Sequence, residues 1–154
     1  MVCSSEESAK LKEGIKMIDI IAGSKGKGKT KILIQRANDD IKSTHGTIVY
    51  IDKNNKHMYE LSNKIRLIVV TEYGIEDTDM FLGFIAGIIS QDHDLDTIYL
   101  DSFLTIAFVQ DNLEYALDKL DKISKKFDVN FVISVSLDKK DLPEKLQALV
   151  SSAL

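Results

Sequence analysis

The sequence is poor in the residues that cross-link small secreted domains, span membranes or hold structural zinc. With one cysteine, Cys3, and three histidines in 154 residues, the chain has no partner for an internal disulfide and no Cys/His array for zinc. Its longest apolar stretch, Phe81–Ile89, is nine residues long, whereas a membrane-spanning helix needs about 20. The N-terminal segment has no apolar run before Ile15, so we expect no secretion signal, no membrane span and a cytoplasmic protein.

A surplus of positive charge is also missing. The chain has 20 Lys and Arg against 24 Asp and Glu, a net charge of −4, which argues against a nucleic-acid partner. It has one proline and no Pro/Gly-rich linker or internal repeat. Its length and its 44% hydrophobic content suit one domain with a single core. We expect residues 16–154 to form that domain, after a loosely helical extension over residues 1–15.

Short β-branched runs alternate with longer segments of helical spacing, the pattern of an α/β domain. Ile48–Ile51 and Leu67–Val70 are apolar throughout, as expected for strands covered by helices on both faces. The pattern predicts a three-layer domain with a mainly parallel, five-stranded sheet. The predicted strands are Lys16–Ala22, Thr47–Ile51, Arg66–Thr71, Thr97–Leu100 and Asn130–Ser136.

Helical spacing of apolar residues predicts the remaining elements. Asp77 or Thr78 is the expected cap of the second long helix, and Pro143 suits the first turn of a last helix after Asp141. We also expect a short helical turn near residues 59–64. The long helices are predicted over Lys29–Ile41, Thr78–Gln91 and Asp111–Phe127.

One glycine-rich motif carries most of the chemistry. It fits G-x-x-x-x-G-K-[ST] and lies between the first predicted strand and the first predicted helix, the context that a phosphate-binding loop requires. Its glycines let backbone N–H groups turn toward phosphates, the lysine can reach the β- and γ-phosphates, and the threonine hydroxyl can bind Mg²⁺. The alternative is a merely flexible glycine-lysine turn. The motif residues, all candidates for nucleotide binding, are Gly23, Ser24, Lys25, Gly26, Lys27, Gly28, Lys29 and Thr30.

With this motif, the predicted fold is P-loop NTPase-like. Lys25 and Lys27 add charge that either steers phosphates or faces solvent for solubility. A P-loop site needs a second carboxylate on the metal side, and Asp101 follows the buried run Thr97–Leu100. Ligands of open α/β sheets bind at such strand ends, so Thr30 and Asp101 are the predicted Mg²⁺ residues. A cap of the following turn is the alternative for Asp101.

Hydrolysis also needs a group that orients or deprotonates water. The residue after Asp101 is Ser102 rather than a glutamate, so the candidates are Asp52 and Glu72, each at the end of a predicted strand. Either is equally a solvated loop acid. Ser134 and Ser136 on the last predicted strand could sense the γ-phosphate or simply face a neighbouring strand.

Several segments together resemble a family of small Firmicute P-loop proteins that is commonly labelled as twitching-motility (pilus-retraction) ATPases. The resemblance implies ATP binding on a P-loop fold rather than motor activity, and it extends from about residue 16 to about residue 146. The segments that carry it are Met17–Thr30, Asp52–Lys53, Lys64–Leu67, Glu72–Ile75, Gly83–Gly87, Ile98–Ser102 and Asn130–Ser136.

The leading hypothesis is an ATP-binding protein that requires Mg²⁺ and acts as a slow ATPase, with Lys29 as the catalytic lysine. A kinase of a small acceptor is the second hypothesis, although its lid needs arginines and the chain has only Arg36 and Arg66. The third is a nucleotide-responsive binding module without turnover. A protein partner or a homo-oligomer is compatible with all three.

Overall fold

The computed structural model describes residues 17–154, so the predicted N-terminal extension lies outside the described residues. Six strands form a single sheet in the order β3-β2-β4-β5-β1-β6, and every neighbouring pair is parallel. The mainly parallel α/β fold is confirmed, with one strand more than predicted. The strands are β1 Ile18–Ala22, β2 Thr47–Asp52, β3 Arg66–Val69, β4 Leu95–Leu100, β5 Asn130–Val135 and β6 Val150–Ala153.

Helices cover both faces of the sheet. A first group of buried residues, including Ile21 of β1 and Leu33 of the first helix, forms the core on one face, and Ile20 of β1 belongs to the larger core on the other. This alternation along one strand gives three layers. The helices are α1 Lys29–Ser43, α2 Thr78–Ser90, α3 Phe103–Ile106, α4 Leu113–Phe127 and α5 Glu144–Gln147, with 3₁₀ turns at Val70–Tyr73 and Lys139–Asp141.

The strand order brings the ends of four distant segments together. Because β5 and β4 lie between β1 and β2, the residues that follow β1, β5, β4 and β2 succeed one another along one edge of the sheet. Parallel strands present their carboxyl ends at the same edge, where ligands of such sheets bind. No helix among residues 17–154 is long and apolar enough to cross a membrane.

Most differences from the sequence predictions lie at the ends of elements. The third strand stops at Val69 and continues as the 3₁₀ turn Val70–Tyr73, and no helix forms over residues 59–64. Asp77 caps α2 as predicted, accepting a hydrogen bond from the Met80 amide at 2.8 Å. The last helix has only four residues, and it leads into β6, which the prediction lacked.

Candidate functional site

A cavity of about 720 Å³ opens at the carboxyl edge of the sheet. Its walls come from the loop after β1, the segment after β2, the end of β4 and the end of β5. Gly26, Gly28, Lys29, Thr30 and Asp101 line it together. The structure therefore brings the centre of the glycine-rich motif and the predicted metal-side carboxylate into one space.

The loop wall depends on two glycines. Gly26 and Gly28 both have φ of 87°, and a Cβ at either position would find no atom within 4 Å. The glycines are thus needed for the left-handed backbone, and the space beside them is open. Gly28 is also the N-cap of α1, and it provides no side-chain hydrogen bond to the first turn of that helix. Its unpaired N–H groups, with the positive end of the helix dipole, suit an anion.

Lys29 is buried at the base of this loop, with 7% of its surface exposed. Its Nζ donates a hydrogen bond to the Ser24 carbonyl oxygen at 3.0 Å. Burial lowers the pKa of the Lys29 ammonium, and the carboxylates of Asp101 and Asp138 oppose that shift. A poorly solvated cation of this kind gains from the approach of a phosphate oxygen.

Asp101 is the centre of a network of hydroxyl groups. Only 2% of its surface is exposed. Ser134 and Thr30 donate to Oδ1 at 2.8 and 3.2 Å, and the Tyr50 hydroxyl donates to Oδ2 at 2.8 Å. The Ser134 hydroxyl in turn accepts the Ser102 amide at 2.9 Å. The carboxylate is thereby held in one orientation, with Ser134 as a positioning residue.

The oxygens of Thr30 and Asp101 suit a magnesium ion, which takes most of its ligands from water and substrate. They suit a metal ion whose ligands all come from the protein less well. No cluster of three or more His, Cys, Asp or Glu side chains that could hold a metal occurs in the described part of the chain. Mg²⁺ commonly takes one or two protein oxygens and completes its shell with water and substrate phosphates. The 3.2 Å between Thr30 Oγ1 and Asp101 Oδ1 places two hard oxygens next to the loop that suits those phosphates.

Asp52 lies at the end of β2, beside β4, and its side chain lines the same cavity. It is buried, with 4% exposed, and its Oδ1 accepts the Lys53 amide at 2.7 Å. Burial raises the pKa of the Asp52 carboxyl, and repulsion by Asp101 raises it further. A carboxylate whose proton affinity is raised in this way is a better base than an ordinary surface acid.

Glu72 does not join this group. The prediction placed it at the end of a strand, but it is exposed on the 3₁₀ turn and is not part of the cavity wall. The turn begins where β3 ends, so the chain bends away before Glu72.

The remaining residues of the glycine-rich motif also differ in whether they line the cavity. Lys25 lines the cavity, whereas Lys27 is exposed outside it. Ser24 contributes the carbonyl oxygen that holds Lys29, and the Gly23 amide donates to the Val135 carbonyl at 3.3 Å. Ser136 also lines the cavity and is exposed to solvent.

Sequence reasoning missed two parts of the site. Tyr50 has the pattern of an ordinary buried strand residue, so nothing in the sequence pointed to its bond with Asp101. The polar segment after β2 contributes Lys53, Lys56 and His57 to the cavity wall. The one available signal was its position after a buried strand, which also led to Asp52.

Solved structures with a similar fold include the following two. One is the flagellar accessory protein FlaH from Methanocaldococcus jannaschii, with a TM-score of 0.55 and 16% identity over 85% of this chain and 65% of that chain. The other is PCH-2 of C. elegans, with a TM-score of 0.54 and 15% identity over 92% of this chain and 36% of that chain. The present chain thus spans less than two thirds of either protein. At these identities the likeness establishes a P-loop NTPase-like fold alone.

No protein-family model matches the chain, and no curated protein matches it. The resemblance to twitching-motility ATPases therefore has support at the level of the P-loop fold and no further.

Proposed function

We propose that this protein binds ATP together with Mg²⁺ and hydrolyses it slowly, in the cytoplasm. The observation that carries the proposal is the loop at Gly26–Thr30, whose two left-handed glycines open onto a cavity that also contains Lys29 and Asp101. The P-loop NTPase-like fold of the two similar structures favours the same ligand class.

In this proposal the backbone amides of the loop and of the first turn of α1 bind the α- and β-phosphates. The Lys29 ammonium exchanges its bond to the Ser24 carbonyl for phosphate oxygens. The oxygens of Thr30 and Asp101 would hold the magnesium ion. The magnesium ion, when bound, neutralises negative charge on the phosphates.

Asp52 is the residue that we propose to orient and deprotonate the attacking water. It is buried in the cavity wall, and its pKa is raised by burial and by Asp101. Turnover is expected to be slow because Ser102 replaces the carboxylate that could follow Asp101, and because neither arginine lines the cavity. Arg36 instead pairs with Asp19 at 2.8 Å.

Two other functions use the same nucleotide site. A kinase would transfer the phosphoryl group to a small acceptor, and a binding module would hold nucleotide without turnover. The buried Asp52 favours hydrolysis over a module, and the lack of arginine in the cavity wall counts against the kinase. Glu72 has no support from its exposed position as an alternative base.

Calorimetric titration of ATP, ADP and GTP in the presence of Mg²⁺ tests the binding step. We expect the wild type to bind ATP, and Lys29→Ala to lose at least about tenfold in affinity, the factor equivalent to 1.4 kcal/mol. Lys31→Ala, an exposed lysine on α1 outside the cavity wall, is the matched control and should bind like the wild type. Equal ATP affinities for wild type and Lys29→Ala would refute the proposal.

Phosphate release then separates the three functions. Steady release from ATP and Mg²⁺ alone, lost in Lys29→Ala, is the result expected for an ATPase. Tight binding without release would identify a module, and turnover only after addition of an acceptor would identify a kinase.

A further inference from the structure

The cavity has a second basic wall that the P-loop does not provide. Lys53, Lys56 and His57 line the cavity from the segment after β2, whereas Lys25 lines it from the loop after β1 and Lys29 from the start of α1. β5 and β4 separate these strands, so three steps of about 4.8 Å put the two strand ends about 14 Å apart. Asp101, at the end of β4, lies between them.

This segment is held in place at several points. The Thr71 hydroxyl donates to the Lys53 carbonyl at 3.0 Å, and the Lys56 amide donates to Asn54 Oδ1 at 3.0 Å. Farther along, the Asn38 side chain on α1 donates to the Glu60 carbonyl and accepts the Ser62 amide, both at 2.8 Å. The helix that follows the P-loop therefore helps to position the opposite wall.

The two lysines of this wall have no ion-pair partner within residues 17–154. Elsewhere Lys125 and Lys145 each pair with an aspartate at 3.0 Å, but neither Lys53 nor Lys56 does so. Both residues line a cavity whose wall includes four lysines and only two carboxylates, Asp52 and Asp101. The cavity thus carries an excess of positive charge that an anion can balance.

The position of this wall relative to the P-loop determines which part of a bound nucleotide it can contact. The P-loop and the start of α1 suit the phosphates that a diphosphate and a triphosphate share. In the proposed binding mode a third phosphate would lie near Thr30 and Asp101, which share the cavity with the segment after β2. Arginines, which often contact this phosphate, are unavailable, because Arg36 is paired with Asp19 and Arg66 lies on the edge strand β3 outside the cavity wall.

We propose that Lys53 and Lys56 bind the terminal phosphate of a nucleoside triphosphate from the side opposite the P-loop, and that they make the site prefer triphosphate over diphosphate. This inference rests on the proposed function, since it takes the ligand to be a nucleotide. It adds that the preference resides in the segment after β2 and needs no residue from a second molecule.

The test compares a non-hydrolysable ATP analogue with ADP, each titrated with Mg²⁺ into the wild type and a Lys53→Ala/Lys56→Ala double variant. The variant should bind the triphosphate at least about tenfold more weakly, a loss of about 1.4 kcal/mol, and bind ADP like the wild type. Lys53→Arg/Lys56→Arg keeps both charges and should recover most of the triphosphate affinity.

A second double variant controls for net charge. Lys122→Ala/Lys126→Ala removes two exposed lysines from α4, outside the cavity wall, and should leave both affinities unchanged. Circular dichroism verifies that every variant is folded.

Each remaining outcome would overturn the inference. An equal loss for ADP and the analogue would mean general attraction of anions, and unchanged affinities would mean that the lysines do not reach the ligand. A wild type that binds neither nucleotide would refute the proposed function itself, whereas nucleotide binding with unchanged discrimination would refute this inference alone.

Discussion

The two sides of the cavity are built in different ways. On the P-loop side the wall comes from five residues of one contiguous segment, residues 25–30, and its two glycines present only backbone. The rest of the wall includes Asp52, Asp101 and Ser134, which lie at or next to the ends of three different strands, and the side chains of Ser134 and Asp101 are hydrogen-bonded to each other. The first side depends on local conformation and the second on correct assembly of the sheet. A substitution on the P-loop side should therefore reduce stability and binding through backbone strain. A substitution on the other side should do so by leaving buried polar groups without hydrogen-bond partners.

The largest effect is expected for Asp101→Ala on the side-chain wall. This change leaves the buried hydroxyl groups of Tyr50 and Ser134 without their acceptor. Each buried orphan costs roughly 1–3 kcal/mol, so we expect the free energy of unfolding to fall by about 3 kcal/mol in urea denaturation. Asp101→Asn retains one oxygen that can accept from Ser134 and Thr30, and it should be markedly more stable than Asp101→Ala while losing Mg²⁺-dependent binding. Equal stabilities of the two variants would contradict the network.

Tyr50→Phe removes one bond of the same network without opening a cavity. A hydrogen bond to a charged group contributes about 1.5–3 kcal/mol, so we expect a loss of about 2 kcal/mol and a higher Mg²⁺ requirement for ATP binding. Tyr99→Phe is the matched control, because Tyr99 stacks on Tyr50 at 6.2 Å but donates to Asp40, away from the cavity. A change in the Mg²⁺ requirement in both variants would argue against a specific role for Tyr50.

Gly28→Ala tests the backbone side. The new Cβ meets open space, but the left-handed conformation costs a non-glycine residue roughly 1–2 kcal/mol. Nucleotide affinity should fall with stability, since the loop can relieve the strain by leaving its phosphate-binding shape. Gly83→Ala on α2 also enters open space without a positive φ, and should stabilise the fold by about 0.5–1 kcal/mol. Thermal unfolding and ATP titration of both variants check the difference in sign.

Asp52→Asn is expected to have the smallest effect on stability. Unlike Asp101→Ala and Tyr50→Phe, it should raise the free energy of unfolding. Because the native pKa of Asp52 is raised, the folded state retains a proton at pH values where the unfolded state has lost it. Stability is therefore highest below the ordinary pKa, about 3.9, and falls as the pH rises through the native value. An asparagine side chain does not ionise, so the stability of the variant does not fall in this way as the pH rises. Its melting temperature at pH 7 should therefore exceed that of the wild type by a few degrees.

The same variant should lose ATP turnover, and the difference in melting temperature should shrink near pH 3. An Asp52→Asn protein that is less stable at pH 7, or that retains turnover, would contradict the role given to Asp52.

The contrast between the two walls also explains what the sequence could predict. The loop at Gly23–Thr30 is contiguous, so its motif and its place between a strand and a helix were both readable. Asp101 and Asp52 follow apolar runs that end at the correct edge of a parallel sheet, which made them candidates. Whether they share a cavity depends on the strand order, and the sequence pattern does not determine that order.

The errors have physical causes. Val150–Ala153 contains two serines and pairs with β1 through its backbone, so its side chains give no strand signal. Glu72 was misplaced because Val70 and Thr71 favour strands locally, whereas the chain turns at Val70. Tyr50 has a phenol on a ring that packs like any apolar residue, so sequence alone does not identify its partner.

Because Tyr50 is hydrogen-bonded to Asp101, its ultraviolet absorption can report changes at the candidate site. The chain contains no tryptophan and five tyrosines, so tyrosine absorption in the near ultraviolet is not masked by indole. One of these chromophores is buried and bonded to the carboxylate beside the P-loop. Any rearrangement of that carboxylate alters the polarity around the phenol. Difference spectra can therefore follow events at the site without an attached dye.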